Sequence, residues 1–252
     1  MQAKMKPTLL TLALVGCLGL PFLRAASPEA SGSTPQPAVA GAAWTPALES
    51  QYIGASKCKS CHKSEESGNQ YEAWEKASHS HAFEVLASDA SKAAASAAGI
   101  ADAQKADECL KCHVTGHGAP ESAIKKGFKF EEGVQCESCH GPGGDHMKAR
   151  FAAAAGGEAK EGYQGAAVSE MITSPGVEVC TQCHNPESPS YKPFCFYEAR
   201  GKVAHLDPRK PRSDEEKANY GVCPHGAPCP HAEGCPDGTC NLTPEKLAAL
   251  KQ

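Results

Sequence analysis

The sequence predicts a small, mostly α-helical domain with much irregular structure and few or no strands, packed around something other than its own aliphatic side chains. Three observations point there. Strand patterning is nearly absent, while stretches rich in Ala, Glu and Lys favour helix. Leu, Ile, Val and Phe are scarce: residues 26–252 hold 26 of them, about 11%, where a chain below roughly 20% cannot bury enough apolar surface to offset its own entropy. Finally, the chain carries 14 cysteines and 11 histidines, and eight of those cysteines fall in four copies of one pentapeptide.

The chain begins with Met1, Lys4 and Lys6, an apolar run from Leu9 to Leu23, and then the small residues Ala25 and Ala26. That order reads as a secretory signal over residues 1–25, too short and wrongly flanked for a membrane-spanning helix. Leu14-Val15-Gly16-Cys17 also reads as a lipobox, in which Cys17 would carry the lipid anchor. The expected location is periplasmic, or exported and lipid-anchored. Removing residues 1–25 takes away Lys4, Lys6 and Arg24 and no acid, so the formal charge goes from −4 to −7. Such a surface argues against nucleic acid and suits a basic protein partner. Residues 26–50, rich in Ala, Pro and Ser, read as a flexible leader.

The chemistry is expected within residues 51–206. The four pentapeptides are Cys58-Lys-Ser-Cys61-His62, Cys109-Leu-Lys-Cys112-His113, Cys136-Glu-Ser-Cys139-His140 and Cys180-Thr-Gln-Cys183-His184. Two cysteines three apart lie on one side of a helical turn, where both thiols reach the vinyl groups of one haem, and the next histidine offers its imidazole to the iron. Zinc sites or redox dithiols would leave a histidine after every pair unexplained. The expectation is four covalently attached haem c groups, which also supply the missing core. Helices are expected over Gln70–Leu86, Ser91–His113 and Lys148–Ala155, the last ended by Gly156-Gly157. The glycines from Gly141 to Gly144 predict irregular backbone lying close to a haem. A last helical turn is expected at Thr243–Lys251.

The run Tyr52-Ile-Gly-Ala-Ser-Lys before Cys58, the residues Tyr71, Trp74, Ser78-His79 and Leu86, and Gly133-Val-Gln-Cys136 through Gly141-Pro-Gly-Gly-Asp-His146 carry a further signal. Over residues 52–184 the chain resembles the tetrahaem cytochrome c-554 family. The resemblance implies a helical, haem-packed fold with haems in stacked pairs, electron transfer, and a five-coordinate haem at the second motif. By the same resemblance, His79 and His146 match distal iron ligands, His146 for the first haem and His79 for the third. The chain departs from the family pattern in having no histidine between His146 and the fourth motif. His205 is the nearest replacement and the natural candidate for the fourth haem. His81, two residues from His79, points away from it on a helix. His117 is too near His113 to reach the far face of the same haem. The second haem, at His113, is then either open or capped from the tail by His225 or His231.

Residues 207–252 form a Cys- and Pro-rich tail in which Cys223, Cys229, Cys235 and Cys240 predict two disulfides or a structural zinc site, and Cys195 is left as a buried hydrophobe or a thiol. The functional expectation is an electron carrier between a donor and an acceptor redox protein. One alternative is a haem enzyme acting on nitric oxide or hydroxylamine at an open iron. Another is a subunit of a conducting haem filament.

Overall fold

A computed structural model of the chain describes residues 50–157 and 165–224. All of them belong to one compact unit, Gly41–Gln252. The expected signal with Cys17, most of the leader, the tail beyond residue 224 with His225, His231, Cys229, Cys235 and Cys240, and the expected turn at Thr243–Lys251 lie outside the described residues.

The described chain is mostly α with much irregular structure, and no strand occurs among the described residues. Nine helices follow one another: α1 (Ala55–His62), α2 (Gln70–Glu75), α3 (Asp89–Ala97), α4 (Asp107–His113), α5 (Cys136–His140), α6 (Gly144–Ala155), α7 (Val177–Thr181), α8 (Phe196–Lys202) and α9 (Asp214–Asn219). Short 3₁₀ turns cover Glu84–Ala87, Glu121–Ala123 and Phe130–Glu132. A single parallel bridge joins Tyr52 to Ile124. Tyr52 N donates to Ala123 O at 2.8 Å and Lys125 N donates to Tyr52 O at 2.9 Å.

Each pentapeptide sits at the end of a short helix. α1, α4 and α5 finish on His62, His113 and His140. At the fourth motif Cys180 lies in α7, and the turn carries on through His184, whose N–H donates to Cys180 O at 2.9 Å. Helices of five to eight residues gain little from propensity. Contacts far away in sequence must hold them.

Two of the expected helices are shorter than the composition suggests. The 70–86 stretch is helical only to Glu75, then passes through successive i→i+3 turns: Ala77 N to Trp74 O, Ser80 N to Ala77 O, His81 N to Ser78 O and Ala82 N to His79 O. The 91–113 stretch breaks at Gly99, whose φ of +74° ends α3 in a left-handed residue. Conversely, the 148–155 helix starts earlier, at Gly144. Gly143 and Gly144 allow a close backbone approach, but against Ile53, Glu137 and the backbone of Gln51.

The interior is small and partly polar. Leu86, Ala95 and Ala103 form one apolar cluster beside Phe83, Ile100 and Leu110. Cys195 and Cys223 form another with Tyr197, so the segment after residue 207 packs back onto α8. The largest fully buried side chains among the described residues include Gln135 and Thr115. Gln135 Oε1 accepts from Ala55 N at 2.6 Å, Gln135 Nε2 donates to Lys129 O at 2.8 Å, and Gln135 N donates to Thr115 Oγ1 at 2.7 Å. Thr115 Oγ1 also lies 2.6 Å from Ser138 Oγ. These bonds tie the start of α1, the segment after α4 and the start of α5 together, which fixes three of the four motifs relative to one another.

Candidate haem-binding site

The motif sulfurs come together in pairs. The Cys58 and Cys136 side chains interact with each other, as do those of Cys112 and Cys183. As thiols, Cys58 and Cys183 are pushed up by these interactions and by burial, while the interaction with Cys183 brings Cys112 down to about 7. Burial lifts Cys180 to about 11. A thioether sulfur carries no proton, so in the loaded protein these contacts matter for placement. They set the first motif beside the third and the second beside the fourth.

The imidazoles also pair. His62 faces His146 with ring centres 6.2 Å apart, His79 faces His184 at 6.0 Å and His140 faces His205 at 5.9 Å. Two imidazole nitrogens about 2 Å from one metal ion, with about 1.1 Å from nitrogen to ring centre on each side, would set the centres about 6.2 Å apart. The three gaps therefore fit an iron between two histidines.

The pairing differs from the expected one in one respect. His146 meets the first motif, but His79 meets the fourth and His205 the third, an exchange of the two assignments. Chain geometry accounts for it. Val134 N donates to His79 O at 3.0 Å and Trp74 Nε1 donates to Val134 O at 2.8 Å, tying the 79–82 turns to the segment before the third motif while the His79 ring faces His184.

Second partners fix which nitrogen is left for a metal. His140 Nδ1 donates to Ile172 O at 2.6 Å, His113 Nδ1 to Ala82 O at 2.6 Å and His205 Nδ1 to Val203 O at 2.8 Å. His62 Nδ1 donates to Gln70 Oε1 at 3.2 Å, and His146 Nδ1 donates to Glu170 Oε2 at 3.1 Å. With Nδ1 carrying the proton, Nε2 keeps its lone pair for iron. Burial holds His62, His79, His140 and His184 below the usual imidazole range, which keeps them neutral, as a ligand must be.

His113 stands apart. Among the described residues no imidazole ring faces it. Beside its helix lies a cavity of about 330 Å³ lined by Phe83, Gln104, Leu110, Val114, His117, Phe130 and Glu131. His117 sits there with Nε2 3.4 Å from Asp107 Oδ1. His81 is exposed and pairs with Glu84 at 3.2 Å.

Sequence reasoning missed the carboxylate inside the third motif. Glu137, only 3% exposed, accepts from Ile53 N at 2.9 Å, Gly54 N at 2.8 Å and Gly143 N at 2.7 Å. Burial pushes its carboxyl up, against the pull of the three N–H groups. It also missed Glu170, whose carboxylate takes Arg150 Nη2 at 2.9 and 3.0 Å. Neither residue belongs to a pattern that a spacing argument detects.

Residues 57–141 match the family described as cytochrome c554 and c-prime. The matched stretch runs from the first motif through the third with its helix α5. Over this stretch the chain is similar to the cytochrome c-554 family. Cytochrome c-554 of Nitrosomonas europaea is 36% identical over 115 residues, covering 40% of this chain and 45% of that protein. The match thus spans less than half the length of that relative. No solved structure matches the chain. No helix among the described residues is long and apolar enough to cross a membrane.

Proposed function

We propose that this chain is an exported, periplasmic electron carrier with four haem c groups, held through Cys58 and Cys61, Cys109 and Cys112, Cys136 and Cys139, and Cys180 and Cys183. In this reading residues 1–25 are the export signal, with Cys17 the acceptor of a lipid anchor if the lipobox is used, and residues 26–50 are a leader. Residues 51–206 hold the haems, and the segment from residue 207 is a tail. His62, His113, His140 and His184 are the proximal ligands. His146, His205 and His79 are the distal ligands of the first, third and fourth haems.

The observation that carries the proposal is the set of three imidazole pairs 5.9–6.2 Å apart. An iron with two histidines has no vacancy, so it passes electrons without binding substrate. The haem supplies the redox chemistry. The chain's residues orient the imidazoles through their Nδ1 bonds, exclude water, and bring neighbouring attachment cysteines into contact.

A second reading rests on His113, which has no facing imidazole among the described residues. A haem there would be open to a small molecule such as nitric oxide or hydroxylamine.

Low-temperature spin-state spectroscopy of the fully loaded, oxidised protein tests both. Three low-spin irons and one high-spin iron are expected, with nitric oxide binding to the latter on reduction. Replacing His146, His205 or His79 with alanine should each convert one further iron to high spin. A wholly low-spin protein inert to nitric oxide would leave the carrier standing and remove the enzyme. Two unchanged variants among the three would remove the ligand assignment.

A further inference from the structure

The segment 170–172 serves two of the ligand histidines in chemically different ways. Ile172 gives a neutral carbonyl to His140 Nδ1 at 2.6 Å, and Ile172 N returns a bond to His140 O at 2.9 Å. Two residues earlier, Glu170 gives a carboxylate to His146 Nδ1 at 3.1 Å. Among the paired imidazoles with a resolved Nδ1 partner, only His146 meets a carboxylate. His62 meets an amide, and His140 and His205 meet backbone carbonyls.

This carboxylate is largely enclosed, with Glu170 and His146 side chains 16% and 19% exposed. Solvent therefore screens the contact poorly. Arg150 clamps Glu170 through one nitrogen on both oxygens, and also reaches Gly165 O. The clamp aims the carboxylate at Nδ1 while its positive charge offsets part of the negative one.

An anionic acceptor on the Nδ1 proton draws that proton away from the ring and makes the opposite nitrogen a stronger donor. A stronger donor favours the ferric over the ferrous iron, so second-shell hydrogen bonding of this kind lowers a haem's potential. A neutral carbonyl does so less. The two haems concerned are neighbours, because Cys58 and Cys136, one attachment cysteine of each, interact side by side.

We propose that Glu170, oriented by Arg150, is a positioning residue that lowers the potential of the iron between His62 and His146 and so biases an electron shared with the neighbouring haem toward the iron between His140 and His205. The step is a one-electron exchange between two irons, with no bond made or broken. The inference rests on the ligand assignment made above. Its expected size is about tenfold in the equilibrium between the two irons, or 59 mV for a one-electron couple.

The test is a redox titration of the fully loaded protein, following each low-spin signal separately. His146→Ala identifies the relevant signal by abolishing it. Glu170→Gln keeps the shape and an acceptor oxygen but removes the charge. It should raise that one midpoint by about 59 mV and move the neighbouring haem's less. Arg150→Gln should shift the same midpoint downward, because the carboxylate is then left without its cation. A purely structural role for the ion pair would move both variants in the same direction, and that result overturns the proposal. So does a Glu170→Gln protein whose midpoints are all unchanged. If instead His146→Ala leaves every low-spin signal in place, the ligand assignment itself fails and the inference goes with it. Should Glu170→Gln lose haem, the sign of the shift in Arg150→Gln still decides.

Discussion

Glu137 occupies one of the two variable positions of the third pentapeptide, yet it is almost wholly enclosed and gathers Ile53, Gly54 and Gly143 N–H groups. Those donors belong to the entrance of α1 and to the loop before α6, so one carboxylate joins the first motif to the segment that carries His146. A glutamine there would present one acceptor and turn an NH₂ toward N–H groups. A buried donor left without its partner costs about 1–3 kcal/mol, and bonds to a charged group are the stronger ones. Glu137→Gln should therefore lower the stability of the loaded protein by about 3 kcal/mol, measured as a shift in denaturant midpoint. A loss under about 0.5 kcal/mol would show the carboxylate to be dispensable. The motif cysteines and histidines were legible in the sequence because covalent attachment fixes their spacing. Glu137 was not, since burial is a property of the folded contacts and leaves no mark on the pattern Cys-x-x-Cys-His.

The stretch between α2 and the 3₁₀ turn at Glu84–Ala87 is where element-level reading and structure part. Its Ala, Glu and Lys content favours one long helix, but the proposed ligation asks for something else. His79 must face His184, and Ala82 O must accept from His113 Nδ1, and tight turns do both within four residues. Gly133 holds this segment from outside. Its φ is +72°, and a Cβ there would lie 2.9 Å from His79 O, 3.0 Å from Ser80 O and 3.1 Å from Ala82 N, all backbone atoms. Gly133→Ala thus combines left-handed strain of about 1–2 kcal/mol with a displacement of two ligand-bearing groups. Loss of more than about 2 kcal/mol is expected, together with altered spectra of the haems at His113 and His184. Gly99→Ala is the comparison, with a φ of +74° and nothing within 4 Å of the added carbon. It should cost about 1 kcal/mol and leave the spectrum as it was. If both substitutions behaved alike, backbone crowding at Gly133 would have no role. The break at Gly99 was itself readable, because a glycine after an alanine-rich run is a common helix stop. The turn at 76–83 was not, because it is imposed by partners far away in sequence, from His113 to His184.

Across the whole molecule, the buried hydrophobic residues among those described are Ile53, Leu86, Val114, Phe196, three alanines and two cysteines. Seven polar or charged side chains are buried beside them. Such an interior supplies little of the apolar burial that drives folding. The low aliphatic content announced this in the sequence, and the four pentapeptides named what replaces it. What they left open was the pairing across the haems, which depends on how the nine described helices lie against one another rather than on spacing. Chain produced without haem attachment should show little helix by circular dichroism and no cooperative thermal transition, whereas the loaded protein should show both. A sharp transition in the haem-free chain would mean that the polypeptide alone makes a sufficient core.

The hydrogen bonds that Gln135 and Thr115 make between the first three motifs have a consequence for how such a protein is inspected once haem attachment has begun. Side chains of this kind hold a fold only when every partner is present, since each one left enclosed without its bond is costly. A chain that has received some but not all of its haems would bring these groups together incompletely and stay open. Proteases act on open chain in proportion to how often it is exposed. Incomplete molecules would be cleared, and complete ones spared, with no dedicated sensor of haem content. The polar interior thus makes survival of the chain a readout of complete loading.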